Sequence, residues 1–324
     1  MYIKKEIQDI ISEAFHSANF NFKPSSLYDP IKYMMDLGGK RIRPLLTLMS
    51  CEMFGGCIEE ALAPAMGLEL FHNFTLLHDD IMDQAPIRRG KETVFKKWNT
   101  NSAILSGDTL FVMAYELVTK TTPALLPQVL ELFNDTARKV CEGQQYDMDY
   151  ETRSDISIPD YILMIRLKTA VLISCSLKLG AIIAKAPAEE ADLIYEFGEN
   201  LGLAFQLQDD YLDVFGEVDK FGKEIGNDIV TNKKTFLYLK AFELASGDSL
   251  ELITSHYREK SLSAPVKVQT ITEIYRKLQI DVMTRSLIDE YFGKALEIIA
   301  RINIPDERKQ MLLEVAAQMV DRES

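Results

Sequence analysis

Glycine and proline are scarce in this chain, 16 and 11 of 324 residues, about 8% together against the roughly 12% usual in proteins. So few chain breakers imply long uninterrupted elements. Cysteine is scarce too. Cys51, Cys57, Cys141 and Cys175 form neither a CxxC pair nor a tight cluster, which argues against a zinc site or a disulfide framework and for buried free thiols in a reducing compartment. No run of about 18 apolar residues is present to span a membrane. The nearest, TAVLISCSLKLGAIIA, is broken by Lys178. The opening MYIKKEIQDIISEAF mixes charge with apolar residues and lacks the continuous apolar stretch of a secretory signal. A cytoplasmic protein without stable membrane insertion is expected. Basic excess is also missing: 36 Lys and Arg face 49 Asp and Glu, a net charge of −13. A nucleic-acid binder needs a basic stripe to release phosphate counterions, so that class is excluded, and adhesion to an anionic membrane is disfavoured.

What the chain does have is 47% hydrophobic residues, enough for a sizeable core. They recur at helical spacing almost everywhere, as in YILMIRLKTAVLISCSLKLGAIIA and SLIDEYFGKALEIIARI, while alternating strand patterns are nearly missing. Breakers at Pro24, Gly38, Gly39, Pro86, Gly90, Pro123, Pro127, Pro159, Pro187, Gly222, Gly226, Pro265 and Pro305 leave intervals that fit ten or more helices. The predicted fold is all-α. No Ser/Gly-rich linker, low-complexity tract or block of like charge marks a boundary. HDDIMD at 78–83 is echoed by QDDYLD at 208–213, as if both halves served one site, so a single domain over residues 1–324 is expected.

On an ideal helix Asp79, Asp80 and Asp83 fall at about 0°, 100° and 40°, on one face of a single turn. Asp209, Asp210 and Asp213 repeat the pattern. Bare carboxylates about 4 Å apart repel by roughly 4 kcal/mol per pair at an effective dielectric near 20, and apolar flanks such as FTLLHDD worsen the cost. A cation should therefore sit there. Clustered carboxylate oxygens select hard divalent ions, and Mg²⁺ is held by a few carboxylates together with substrate phosphates. Phosphates need basic partners. GGKRIRP places Lys40, Arg41 and Arg43 at a turn before a helix, and Arg88 and Arg89 follow the first aspartates just after Pro86. Lys168, Lys223 and Lys233 are further candidates.

In this order, from residue 38 to residue 235, GGKRIRP, HDDIMDQAPIRRG, the Lys168-Thr169 pair, FQLQDDYLD and FGKEIGNDIVTNKKT resemble the trans-isoprenyl diphosphate synthases, the polyprenyl synthetase family. The C-terminal third carries only helical pattern. The resemblance implies the isoprenoid synthase type I fold, a helical bundle around a central cavity, usually as a homodimer. It implies condensation of isopentenyl diphosphate, head to tail, with dimethylallyl, geranyl or farnesyl diphosphate. The expected cofactor is Mg²⁺, three ions per site, with Mn²⁺ as a substitute. By motif, Asp79, Asp83 and Asp209 resemble the direct metal ligands, with Asp80, Asp210 and Asp213 in support. Arg88, Lys168, Thr169, Gln206, Lys223 and Lys233 resemble the allylic diphosphate clamp, and Lys40, Arg43, His72 and Arg89 the isopentenyl diphosphate site. On the helical wheel, His72 falls about 20° and Gln206 about 60° from the first aspartate of its motif, both on the carboxylate face.

The chemistry needs these residue types. Ionising the allylic C–O bond adds negative charge to the departing diphosphate, which Mg²⁺, Arg and Lys stabilise. The carbocation must be kept from water by an apolar cavity, and the resemblance assigns the final proton to the released diphosphate. Product length is expected to be gated four and five residues before the first aspartate, at Thr75 and Phe74, with Phe71 a turn further back. An aromatic at Phe74 resembles short-chain synthases, and DDIMD lacks the two-residue insertion of bacterial farnesyl diphosphate synthases. The aromatic argues against long polyprenyl products, and the missing insertion favours a geranylgeranyl (C20) over a farnesyl (C15) product. Phe74 lies about 140° from Asp79 on an ideal helix, so a gate there requires a kink or a tunnel along the helix side; plain core packing is the alternative.

Three rivals use parts of the same pattern. A class I terpene cyclase would carry an NDxx(S/T)xxxE triad; NDIVTNKKT begins that way at Asn227 but has Thr235 in place of the glutamate. An HD-type phosphohydrolase built on His78-Asp79 would need more histidines than His16, His72 and His256. A silent subunit of a hetero-oligomeric synthase would have lost aspartates from one motif, and both motifs are intact.

Overall fold

A computed structural model describes residues 2–216, 226–258 and 263–321. The expected all-α fold is present, with one exception among the described residues: a hairpin of the two-residue strands β1 (Ile87–Arg88) and β2 (Lys91–Glu92). Among the described residues the breakers fall between helices or at their ends, and Gly222 lies outside the described residues. Pro159 occupies the first turn of a helix and Pro265 the first turn of another, positions where the missing N–H has no helical partner to lose. The chain forms two compact units, one of Met1–Asp135, Cys175–Tyr195 and Ile302–Glu314, the other of Thr136–Ser174, Glu196–Arg301 and Val315–Ser324.

The first unit is built on α1 (Lys4–Ser17), α2 (Ser25–Asp36), α3 (Ile42–Met53), α4 (Ile58–Met82), α5 (Val94–Lys97) and α6 (Thr100–Val118). Residues 44–51 of α3 and 64–71 of α4 are buried without interruption. A helix apolar on all sides must sit inside the fold, and α4 is accordingly covered by α3 and α6. Ser50 Oγ donates to Leu177 O at 2.7 Å, tying α3 to the C-terminal part of a helix over Val171–Ile183.

The second unit contains most of α7 (Leu126–Thr152), then α8 (Ile158–Ile165), a wide π turn at Arg166–Ala170, the start of α9 (Val171–Ile183), most of α10 (Ala188–Phe215), α11 (Asn227–Val230), α12 (Phe236–Leu244), α13 (Asp248–Arg258), α14 (Ala264–Lys277) and α15 (Ile280–Arg301). Ser157 and Asp160 form a reciprocal capping box that starts α8. Val214, Ile229, Leu237, Ile253, Ile271 and Tyr275 form a core that joins α10 to α11–α14.

One expectation is corrected. All four cysteines are free, but only Cys51 and Cys175 are buried; Cys57 and Cys141 are exposed, because they lie at a helix entry and on the outer face of α7. The apolar run from Tyr161 to Ala184 is helical as far as Ile183, as its spacing predicts, with the π turn within it. No helix among the described residues is long and apolar enough to cross a membrane.

Candidate active site

In the first unit the end of α4 carries Asp79 and Asp80, with Asp83 as its C-cap donating its N–H to Asp79 O at 2.8 Å. The hairpin then folds the chain back. Arg88 Nε donates to Asp80 Oδ1 at 2.7 Å and Nη2 to Asp79 Oδ2 at 3.3 Å. Asp80 is 1% exposed and its Oδ2 has no hydrogen-bond partner. Burial pushes its pKa up to about 6, against the opposing pull of Arg88. Among the described residues no three acid, His or Cys side chains converge as a complete cage. An unsatisfied carboxylate oxygen beside further carboxylates suits a hard ion that completes its shell with water and phosphate oxygens.

The basic set lies beside this. Arg89 Nη1 donates to Gly38 O, and the guanidinium lies so near Gly39 (φ +137°) that a Cβ there would stand 2.7 Å from Nη2. Gly39 of GGKRIRP thus combines a positive φ with the close approach of Arg89, whereas Gly38 serves only the turn, at φ +71°. Arg43 is held by burial at a pKa of about 10, with Glu69 opposing the drop and Arg89 adding to it. His72 is driven well below its ordinary value, first by burial and then by Arg43, Arg89, Arg88 and Arg41. It is therefore a neutral hydrogen-bonding group and not a third cation. Lys40 stays exposed at the turn.

Arg41 belongs to the motif but not to the ligand set. Its Nη1 meets Glu69 Oε1 at 3.1 Å, its Nη2 donates to Met35 O at 2.9 Å, and the guanidinium lies over Phe15. Glu69, 2% exposed, was not singled out by the sequence. The signal was there: a lone acid in the apolar stretch 61–71 of α4, three residues before His72. His78 turns away from any HD-type role, its Nε2 bonding Ile104 O at 3.2 Å.

The expected gate residues cluster as aromatics. Phe74 stacks on Phe111 at 4.9 Å, Phe71 packs against Phe74, Phe111 and Phe133, and Thr75 Oγ1 donates to His72 O at 2.8 Å. The helix is continuous from Ile58 to Met82, so the aromatic wall runs along its side.

In the second unit the π turn carries Lys168 and Thr169. Such wide turns concentrate at functional sites. Gly143 on α7 makes this one possible, because a Cβ there would lie 2.3 Å from Lys168 N. Lys168 Nζ pairs with Asp147 at 2.6 Å. Thr169 Oγ1 donates to Gln206 Oε1 at 2.9 Å, and Gln206 Nε2 to Asp210 Oδ1 at 2.8 Å. The other Asp210 oxygen accepts from the Tyr161 hydroxyl. Burial first, then Asp228, raises the Asp210 pKa well above the usual range, while the Tyr161 and Gln206 bonds oppose this. The Tyr161 hydroxyl stays protonated for the same reason of burial. Asp213 Oδ2 accepts the Asp228 N–H at 3.0 Å and so fixes α11. Asp147, Tyr161 and Asp228 were missed by sequence reasoning; Asp147 stood in GQQYDMD and Asp228 in NDIV, whereas nothing marked Tyr161. Lys223 lies outside the described residues.

The polyprenyl synthetase family model matches residues 24–276. A geranylgeranyl diphosphate synthase of Methanosarcina mazei is 36% identical over 304 residues, 93% of this chain and 91% of that protein. A crystal structure of a geranylgeranyl pyrophosphate synthase superposes with a TM-score of 0.95 at 45% identity, covering 100% of both chains. A geranylgeranyl pyrophosphate synthase from Corynebacterium glutamicum, complexed with isoprenyl diphosphate and magnesium, gives 0.88 at 26% identity over 98% of both chains.

The depressed pKa of His72 yields a signed prediction. Below the ordinary 6.5 the unfolded chain takes up a proton that the folded protein refuses. The stability due to the neutral ring is therefore complete above that pH and lost on acidification, by at most about 1.4 kcal/mol per pH unit. His72→Gln should flatten the fall in urea midpoint between pH 7 and 5, and an unchanged slope would show that His72 titrates normally.

Proposed function

The chain belongs to the polyprenyl synthetase family, and from that premise we propose that it condenses isopentenyl diphosphate with allylic diphosphates to give geranylgeranyl diphosphate. The reading is carried by the full-length likeness to geranylgeranyl diphosphate synthases in a chain whose DDIMD and DDYLD motifs are both intact. Residues 1–324 then act as one functional domain.

On this reading Asp79 and Asp83 in the first unit, and Asp209 in the second, would hold magnesium, three ions in all, with Asp80, Asp210 and Asp213 orienting ligands and water. Bound magnesium supplies Lewis-acid stabilisation to the oxygens of the departing diphosphate. Lys168, Thr169, Lys233 and Lys223 grip the allylic diphosphate, Thr169 being aimed by Gln206. In the first unit Arg88, seated on Asp79 and Asp80, is by motif a further residue for the allylic diphosphate. Lys40, Arg43 and Arg89 bind the isopentenyl diphosphate as cations, and neutral His72 adds a directional hydrogen bond. Donors fixed in place before the reaction need no reorganisation as charge develops. Phe74, supported by Phe71 and Thr75, closes the end of the growing chain's path. The active form is a homodimer, with the exposed apolar side chains Leu105 and Val112 on α6, each 58% exposed, supplying part of the contact.

Purified protein given Mg²⁺, isopentenyl diphosphate and each allylic primer in turn should yield a C20 product by chromatography; no extended product from any primer would refute the assignment. Asp79→Ala should lower turnover about a hundred- to thousandfold with an unchanged circular dichroism spectrum, and near-normal turnover would remove Asp79 from the metal site. Phe74→Ala should shift the product beyond C20, and an unaltered length would return Phe74 to ordinary core packing.

A further inference from the structure

The turn that presents Lys233 is fastened from two sides by lysines the condensation does not use. Within it, Gly226 N–H donates to Asp213 O at 2.6 Å and Lys233 N–H to Asp228 O at 2.8 Å, so the Lys233 backbone is linked through Asp228 to the second aspartate motif. The neighbouring Lys234 Nζ donates to Tyr150 O and Glu151 O, among the last carbonyls of α7, where a cation is favoured. From α14, Lys267 Nζ donates to Val230 O at 3.4 Å and to Asn232 Oδ1, with the Tyr257 ring 5.0 Å away.

Lys267 is only 5% exposed, and its partners among the described residues are a carbonyl, an amide oxygen and an aromatic face, with no carboxylate. An ammonium buried on these terms is costly, and an apolar residue of the same volume would serve stability as well or better. What an apolar residue could not do is grip Val230 O and Asn232 Oδ1 together. Asn232 sits at φ +61°, a left-handed conformation that Asn tolerates and that sets the path of the chain into Lys233.

We propose that Lys267 is a positioning residue for Lys233, holding the 226–235 turn so that the Lys233 ammonium is aimed at the allylic diphosphate, a role that rests on the diphosphate synthase reading. Lys267→Met keeps the length of the stem and removes the donors. It should lower kcat/KM for farnesyl diphosphate about tenfold while the KM for isopentenyl diphosphate stays within twofold and the thermal midpoint moves little. The double variant Lys233→Met/Lys267→Met should be no worse than Lys233→Met alone, since both changes act through one group. Asn232→Gly suits the positive φ and removes the acceptor, and it should reproduce the Lys267→Met defect. Unchanged allylic kinetics in both single variants, equal losses toward both substrates, or losses that multiply in the double variant would each overturn the proposal. A wild-type protein that elongates nothing would instead refute the synthase reading. Hydrogen exchange of the 227–233 amides then decides the positioning by itself: faster exchange in Lys267→Met supports it, and exchange identical to wild type overturns it.

Discussion

Asp79 and Asp80 stand side by side at the end of a buried helix, and one guanidinium, that of Arg88, lies across both. The rest of the first unit's site follows from that contact. Carboxylates this close in apolar surroundings repel strongly, and the hairpin exists where it does because it returns a cation to them within five residues of Asp83. Once Arg88 is committed, its neighbour Arg89 is delivered to the glycine turn before α3, and the two basic residues serve different partners. The second unit settles the same repulsion differently. Asp210 is buried, and its two oxygens accept hydrogen bonds from Tyr161 and Gln206, so hydrogen bonding and a raised pKa relieve the pressure on that carboxylate.

This division bears on the overall charge. An excess of acids would oppose anionic substrates if it acted at the site. The groups proposed to meet the diphosphates are basic: Arg43, Arg89 and Lys168 each keep a defined partner or environment on this structure. The pKa of Arg43 is lowered by burial yet stays near 10, far enough above neutrality to remain a full charge. His72 behaves oppositely. Burial first, and then the arginines that make the surroundings cationic, keep it uncharged, so it contributes direction and not charge.

Much of this was readable from the sequence because it depends on spacing. Helical periodicity and sparse breakers gave the fold class, and the DDxxD spacing placed three acids on one helix face in each motif. What escaped were features decided by packing between elements. The π turn at Lys168 requires a glycine on another helix, Gly143, and no local pattern near Lys168 announces it. Tyr161 reaches Asp210 across 49 positions of sequence. Glu69 and Asp147 carry local hints, but their meaning depends on which cation each one meets. Phe74 stacks on Phe111 along an unbroken helix, a packing between two helices that spacing within one helix does not announce.

The wide turn at Arg166–Ala170 also limits how this chain can change over time. It holds an extra residue relative to an α-helical path, and each residue of an α-helix advances the face by about 100°. Removing one residue between Ser157 and Val171 could restore a regular helix, but it would swing every following side chain of α9 off its apolar contacts or carry Lys168 and Thr169 away from Asp147 and Gln206. Point substitutions there cost only what the individual side chains contribute, whereas a change in length shifts two registers at once. Between these positions the number of residues is therefore under stricter constraint than their identity, an economy of counting that a helix without the wide turn would not impose.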